Sequence, residues 1–88
     1  MINTVVVGYG LAARHIHIPL IRRQPALRLV GIVARSAEAR ELAAREQNVT
    51  TYADLRQALD DPAARLIVIA TPHDTHHDLV IQTLDAGK

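Results

Sequence analysis

One run constrains this chain more than any other: Val5-Val6-Val7-Gly8-Tyr9-Gly10-Leu11-Ala12-Ala13. Three β-branched apolar residues lead into G-x-G-x-x-A, and a helix-like sequence follows. This is the layout of a phosphate-cradling turn between a buried strand and a helix. Gly8 permits a sharp turn after the strand. Gly10 lets the backbone approach a pyrophosphate with no side chain in the way, and Ala13 lets the helix pack close to the sheet. With Tyr9, Leu11 and Ala12 they form a turn whose amides, at a helix N-terminus, offer partial positive charge to an anion. A turn that needs glycine only for its geometry looks the same locally, so the surrounding pattern has to decide.

That pattern alternates. Ile2 to Val7 reads as a strand buried on both faces. Leu11 to about Arg23 reads as helical, with Pro19 interrupting it. Proline lacks the N–H and clashes with the carbonyl four residues back. The expectation is a short helix to about His15, a kink, and a further turn or two to Arg23. Leu27–Ala34 is a second strand. Ser36 looks like an N-cap for a helix over 37–47. Val49–Tyr52 is a short strand, 53–59 a helix ended by Asp60-Asp61-Pro62, and Leu66–Ala70 another buried strand. After Thr71-Pro72, a last helix opens at Asp74 or Thr75 and runs to Ala86, with Gly87 at its C′ position.

The order βαβαβαβα predicts an α/β fold, a doubly wound parallel sheet with helices on both faces and strand order 3-2-1-4. Only 2% of residues are aromatic against 49% apolar, so the core is Val, Ile, Leu and Ala, which suits helices on a parallel sheet. In that topology the crevice between the first and fourth strands is the switch point where a ligand binds. The glycine turn lies at the carboxyl end of strand one and Thr71-Pro72-His73 at the carboxyl end of strand four. Two motifs far apart in sequence therefore converge on one crevice.

Several function classes are excluded or disfavoured. A formal net charge of +1 gives no electrostatic case for nucleic acid or an anionic membrane. With no cysteine, disulfides, thiolate chemistry and Cys-based zinc sites are impossible. No apolar run approaches the ~20 residues needed to span a bilayer, and a cytoplasmic location is expected.

The chain resembles the amino-terminal Rossmann half-domain of the glucose-fructose oxidoreductase/inositol 2-dehydrogenase (Gfo/Idh/MocA) family over essentially all of residues 1–88. The likeness is carried by Gly8-Tyr9-Gly10-Leu11-Ala12-Ala13-Arg14, His17-Ile18-Pro19, Ala34-Arg35-Ser36, Ile69-Ala70-Thr71-Pro72-His73-Asp74-Thr75-His76 and Ala86-Gly87-Lys88. It implies NAD or NADP binding and hydride transfer to or from sugars, polyols and related carbonyl compounds. It also implies cofactor contacts at Thr71, Pro72, His73 and His76. His73 departs from the pattern, where the family most often has asparagine. Lys88 matches the lysine of A-G-K, not the catalytic lysine of the family's later E-K-P motif. The resemblance therefore implies an incomplete cofactor domain, inactive alone, of an oxidoreductase that has a substrate domain as well. A free-standing, non-catalytic nucleotide-binding or sensing module is the alternative. An exposed outer edge on strand four leads to an expectation of self-association.

The end of strand two speaks to the cofactor. NAD sites usually carry Asp or Glu there for the ribose 2′-hydroxyl. Here the residues are Val33-Ala34-Arg35-Ser36, with no acid until Glu38. Arg35 can pair with a 2′-phosphate, Ser36 can donate to it, and Arg40, one helical turn on, can add charge. The expectation is NADP, with NAD possible if Arg35 instead stacks on adenine. Arg14 either approaches the pyrophosphate or covers the first helix's polar face.

The histidines suggest a metal only weakly. His73, His76 and His77 have i, i+3, i+4 spacing, but so local a set rarely closes a zinc site, and no metal is expected. His77 and Asp78 read as solvated. His17 reads as part of the kink beside Pro19.

Overall fold

The computed structural model describes residues 1–70 together with Thr83, Leu84 and Gly87. Four parallel strands form one sheet: β1 (Ile2–Val7), β2 (Leu27–Val33), β3 (Thr50–Tyr52) and β4 (Leu66–Ile69), in the order β3-β2-β1-β4. This is the expected 3-2-1-4 order. At the sheet's centre Val5, Val6 and Val7 pair with Gly31, Ile32 and Val33 on one side and with Ile67, Val68 and Ile69 on the other. The Val-Val-Val run is thus the strand with neighbours on both edges, and all three valines are buried.

Side-chain alternation along β1 divides the core. Val6 joins Ile32, Leu29, Ile18, Ile21 and Ala43 on one face. Val5 and Val7 join Val33, Leu55, Ala58, Leu59 and Ala64 on the other. Helices α1 (Ile18–Arg23) and α2 (Ala37–Gln47) cover the first face and α3 (Leu55–Leu59) the second. Right-handed crossovers require this division: β1→β2→β3 steps one way across the sheet, and β3→β4 steps back over it.

Local chemistry sets the helix ends. Ser36 Oγ accepts from Ala39 N–H (3.0 Å), capping α2 as its sequence suggested. At the other end Asn48 takes the left-handed conformation (φ 55°), and its N–H donates to Ala44 O. The third helix starts later than residue 53, because Asp54 is its cap: its carboxylate accepts from Gln57 N–H (3.0 Å).

Three further features differ from the sequence reading. The helix does not break at Pro19. Backbone from residue 11 to 23 is helical throughout, and a π-helical turn over Ala13–His17 widens it just ahead of the proline. Ile18 N–H reaches back five residues to Ala13 O, so the ladder is re-registered before the residue that cannot donate. Second, β2 is irregular: its pairing with β1 shifts between Thr4 and Val5, and the extra residue puts Ile32 on the same face as Leu29. Third, β4 is half-buried rather than buried, because it lies at the edge of the sheet.

Candidate functional site

All four strands run the same way, so their carboxyl ends share one edge of the molecule. Three hydrogen bonds tie those ends together. Gly8 N–H donates to Val33 O (2.7 Å), Ala34 N–H to Tyr52 O (3.0 Å), and Ala70 N–H to Val7 O (2.9 Å). The chain leaving β4 at Ala70 is therefore beside the bend that leaves β1 at Gly8. Convergence of the two ends, the premise of the sequence reading, holds. Thr71, Pro72, His73 and His76 themselves lie outside the described residues, as does the last helix apart from Thr83 and Leu84.

The two glycines of the turn differ in what the structure asks of them. Gly8 has φ 108°, in the region that L side chains rarely adopt. Gly10 is exposed, and a Cβ built on it meets nothing within 4 Å. Neither a close neighbour nor a positive φ demands glycine there; the backbone at this position faces open space. The first helical bond is Arg14 N–H to Gly10 O (3.0 Å). The amides of Leu11, Ala12 and Ala13 precede it and have no helical carbonyl to bind. Leu11 and Ala12 are exposed and Ala13 is fully buried, the last as helix-to-sheet packing demands.

Tyr9 places its backbone in this turn and its side chain elsewhere. The ring is buried on the α1/α2 face. Its hydroxyl donates to Glu46 Oε1 (2.6 Å) and accepts from Gln47 Nε2 (3.2 Å). Arg14 lies 5.6 Å from the ring centroid and pairs with Glu46 Oε2 (3.2 Å). Arg14 is engaged with Glu46 of α2 and the Tyr9 ring, a contact that neither of its two expected roles included. Burial and the Glu46 carboxylate hold the Tyr9 phenol above its ordinary pKa. The Tyr9 hydroxyl, followed by Arg14, lowers that of Glu46. Sequence reasoning missed this cluster; its only sign was a single aromatic placed between two glycines.

At the end of β2, Arg35 and Ser36 are exposed. Ser36 Oγ is occupied as an acceptor by the α2 cap, which leaves its hydroxyl hydrogen available to donate. Arg40 folds back over the strand end, where Nη1 donates to Ala34 O (2.8 Å) and Arg35 O (2.7 Å). Its charge is therefore held beside Arg35. This edge has open space at the glycine turn and two arginines, Arg35 and Arg40, side by side at the end of β2. Open grooves at Arg28–Val30 with Asn48–Thr50, and at Met1, Ile2, Arg65 and Leu66, lie at the strands' amino ends, away from this site. Among the described residues no three His, Asp or Glu side chains are placed to hold a metal, and no helix is long and apolar enough to cross a membrane.

Residues 2–88 match the oxidoreductase family with an NAD-binding Rossmann fold, Gfo/Idh/MocA. The chain belongs to that family. YdgJ of Escherichia coli (strain K12), an uncharacterized oxidoreductase, is 37% identical over 87 residues, which is 99% of this chain and 25% of YdgJ. An uncharacterized oxidoreductase of Schizosaccharomyces pombe, C26H5.09c, is 34% identical over 99% of the chain and 24% of its own length. Among solved structures, an NAD-binding protein from Listeria innocua superposes with a TM-score of 0.90 at 35% identity, over 98% of this chain and 25% of that one. The chain thus spans about a quarter of the length of these family members.

Proposed function

We propose that this chain is the cofactor-binding part of an oxidoreductase that moves hydride between a nicotinamide dinucleotide and a sugar, polyol or related carbonyl compound, with NADP preferred over NAD. Oxidoreductase relatives support this reading over a free-standing nucleotide module. The bound nicotinamide supplies or accepts the hydride. Amides of the Gly8–Ala13 turn hold the pyrophosphate, and Thr71, Pro72, His73 and His76 take the nicotinamide side of the crevice, as the family likeness implies.

The observation that carries the NADP preference is the end of β2. No carboxylate stands there to bind a ribose 2′-hydroxyl. Arg35 and Ser36 are exposed, and Arg40 is fixed beside them by two backbone carbonyls. A 2′-phosphate would receive charge-assisted hydrogen bonds from these groups, each worth about 1.5–3 kcal/mol.

Calorimetric titration of NADP and NAD tests the proposal. NADP is expected to bind at least about tenfold tighter, the equivalent of about 1.4 kcal/mol. Arg35→Ala is expected to remove most of that preference while leaving NAD affinity in place. Tighter binding of NAD overturns the preference, and failure to bind either dinucleotide overturns the cofactor role itself.

A further inference from the structure

We infer that the Tyr9 side chain is a positioning residue. It anchors the glycine turn to the carboxyl-terminal end of α2 and so holds the pyrophosphate-binding amides in place. The inference rests on the proposed dinucleotide role of the turn and adds to it a group that acts from outside the ligand.

The geometry has three parts. Tyr9 is the central residue of G-x-G, so any shift of its ring shifts the backbone on both sides, Gly8 at φ 108° and the open face of Gly10. Glycine on each side gives that backbone more freedom than any other residue pair would. The ring is then fixed from a distance: its hydroxyl meets Glu46 at 2.6 Å and Gln47 at 3.2 Å, partners 37 and 38 positions along the chain. Arg14, the first residue to close the helical ladder beyond the turn, closes the loop through Glu46 at 3.2 Å and through the Tyr9 ring face. One carboxylate on α2 thus holds both the middle of the turn and the start of the helix that follows. A turn of glycines left to itself would sample many conformations, and a pyrophosphate would have to order it on binding. The tether removes that cost in advance.

The test is dinucleotide affinity, measured well below the melting temperature, where circular dichroism shows every variant folded. Tyr9→Phe keeps the ring and removes the hydroxyl, and about tenfold weaker NADP binding is expected. Glu46 is on the surface, so Glu46→Ala gives a second variant with little risk to folding, and a loss of similar size is expected. Glu46→Gln retains an oxygen acceptor for the hydroxyl and should recover part of the affinity. The double variant Tyr9→Phe/Glu46→Ala should bind no more weakly than Glu46→Ala alone, because that variant already breaks the link that Tyr9→Phe removes. A residue that served stability alone would leave the affinity of folded protein unmoved. Wild-type affinity in both single variants overturns the inference, and so do fully additive losses. If the unaltered protein binds no dinucleotide, the proposed function fails, and this inference fails with it.

Discussion

Both aromatic residues of the chain are tyrosines, one on each face of the sheet, and each ends on a carboxylate. Tyr9 reaches Glu46 from the glycine turn at 2.6 Å. Tyr52, at the end of β3, reaches Asp61 Oδ2 at 2.9 Å, beyond the end of α3. The chemistry is shared and the settings are not. The Tyr52 ring lies against β2, where a Cβ on Gly31 would sit 2.7 Å from Cε2, and its carboxylate also accepts from Ala63 N–H (2.9 Å). That pair closes a loop onto the sheet. The Tyr9 pair instead ties the glycine turn to a helix, and its carboxylate is shared with an arginine at the surface. One tyrosine therefore serves packing, and the other is the one we propose orders the glycine turn.

The largest effect expected is at Gly31. Alanine there drives a methyl into the Tyr52 ring, and the neighbours at 3.4 Å, Thr50 O and Val5 Cγ2, leave no room to slide. Overpacking of this kind costs about 1–3 kcal/mol, which outweighs the 0.4–1 kcal/mol that Gly→Ala gains by restricting the unfolded chain. Gly31→Ala should lower stability in urea titration and leave dinucleotide affinity of the folded protein unchanged. The loss should shrink when Tyr52 is replaced by Leu. An unchanged loss in that background would show that the ring does not lie on Gly31.

Next in size is Tyr52→Phe, with a loss of about 1 kcal/mol at neutral pH. Burial and the Asp61 carboxylate push the Tyr52 phenol up to about 12 from 10.0. Folding therefore favours the protonated phenol. Its contribution is fully present below pH 10 and falls away as pH rises from about 10 to 12, where the unfolded chain has released its proton and the folded one has not. Urea midpoints of the wild type should drop across that window. Tyr52→Phe should drop less, keeping only the smaller part due to Tyr9, whose phenol is also raised. Equal slopes in the two proteins would remove the Tyr52–Asp61 bond from the account.

Periodicity made most of the fold legible. β1 and α2 have the bounds read from the sequence, and the 3-2-1-4 order followed from alternation and crossover handedness. Ser36 was legible as a cap because capping is local, settled within three residues. What escaped was non-local or a matter of backbone register. The Tyr9–Glu46 link joins residues 37 positions apart, and neither residue advertises the other. Gly31 looks like a weak point in a strand until Tyr52 is seen lying over it. Pro19 announces a disturbance correctly, but propensity does not say whether a helix answers by breaking or by widening to a π turn. In the candidate site, the glycine turn and Arg35 stand out in the sequence as motifs, and their binding roles are proposals. The placement of Arg40 was not visible, because its bonds to Ala34 O and Arg35 O depend on how α2 leaves β2.

The smallest effect expected sharpens the contrast from the acid side. Glu46 has its pKa lowered, first by the Tyr9 hydroxyl and then by Arg14. A lowered carboxylate contributes stability that is present above its ordinary pKa and lost as pH falls through the lowered one. The Tyr9 face therefore has a link that weakens in acid as well as in alkali. Glu46 is exposed and its pairing is screened by solvent, so the change in stability is slight. Glu46→Gln has nothing to titrate, and its urea midpoint should fall less than the wild type's between pH 7 and pH 3. High salt should narrow that difference, by weakening the Arg14 pair, but should not abolish it, because the Tyr9 hydrogen bond remains. A difference that vanishes entirely in salt would mean that Arg14 alone engages Glu46, and that the hydroxyl of Tyr9 is not held as its 2.6 Å contact requires.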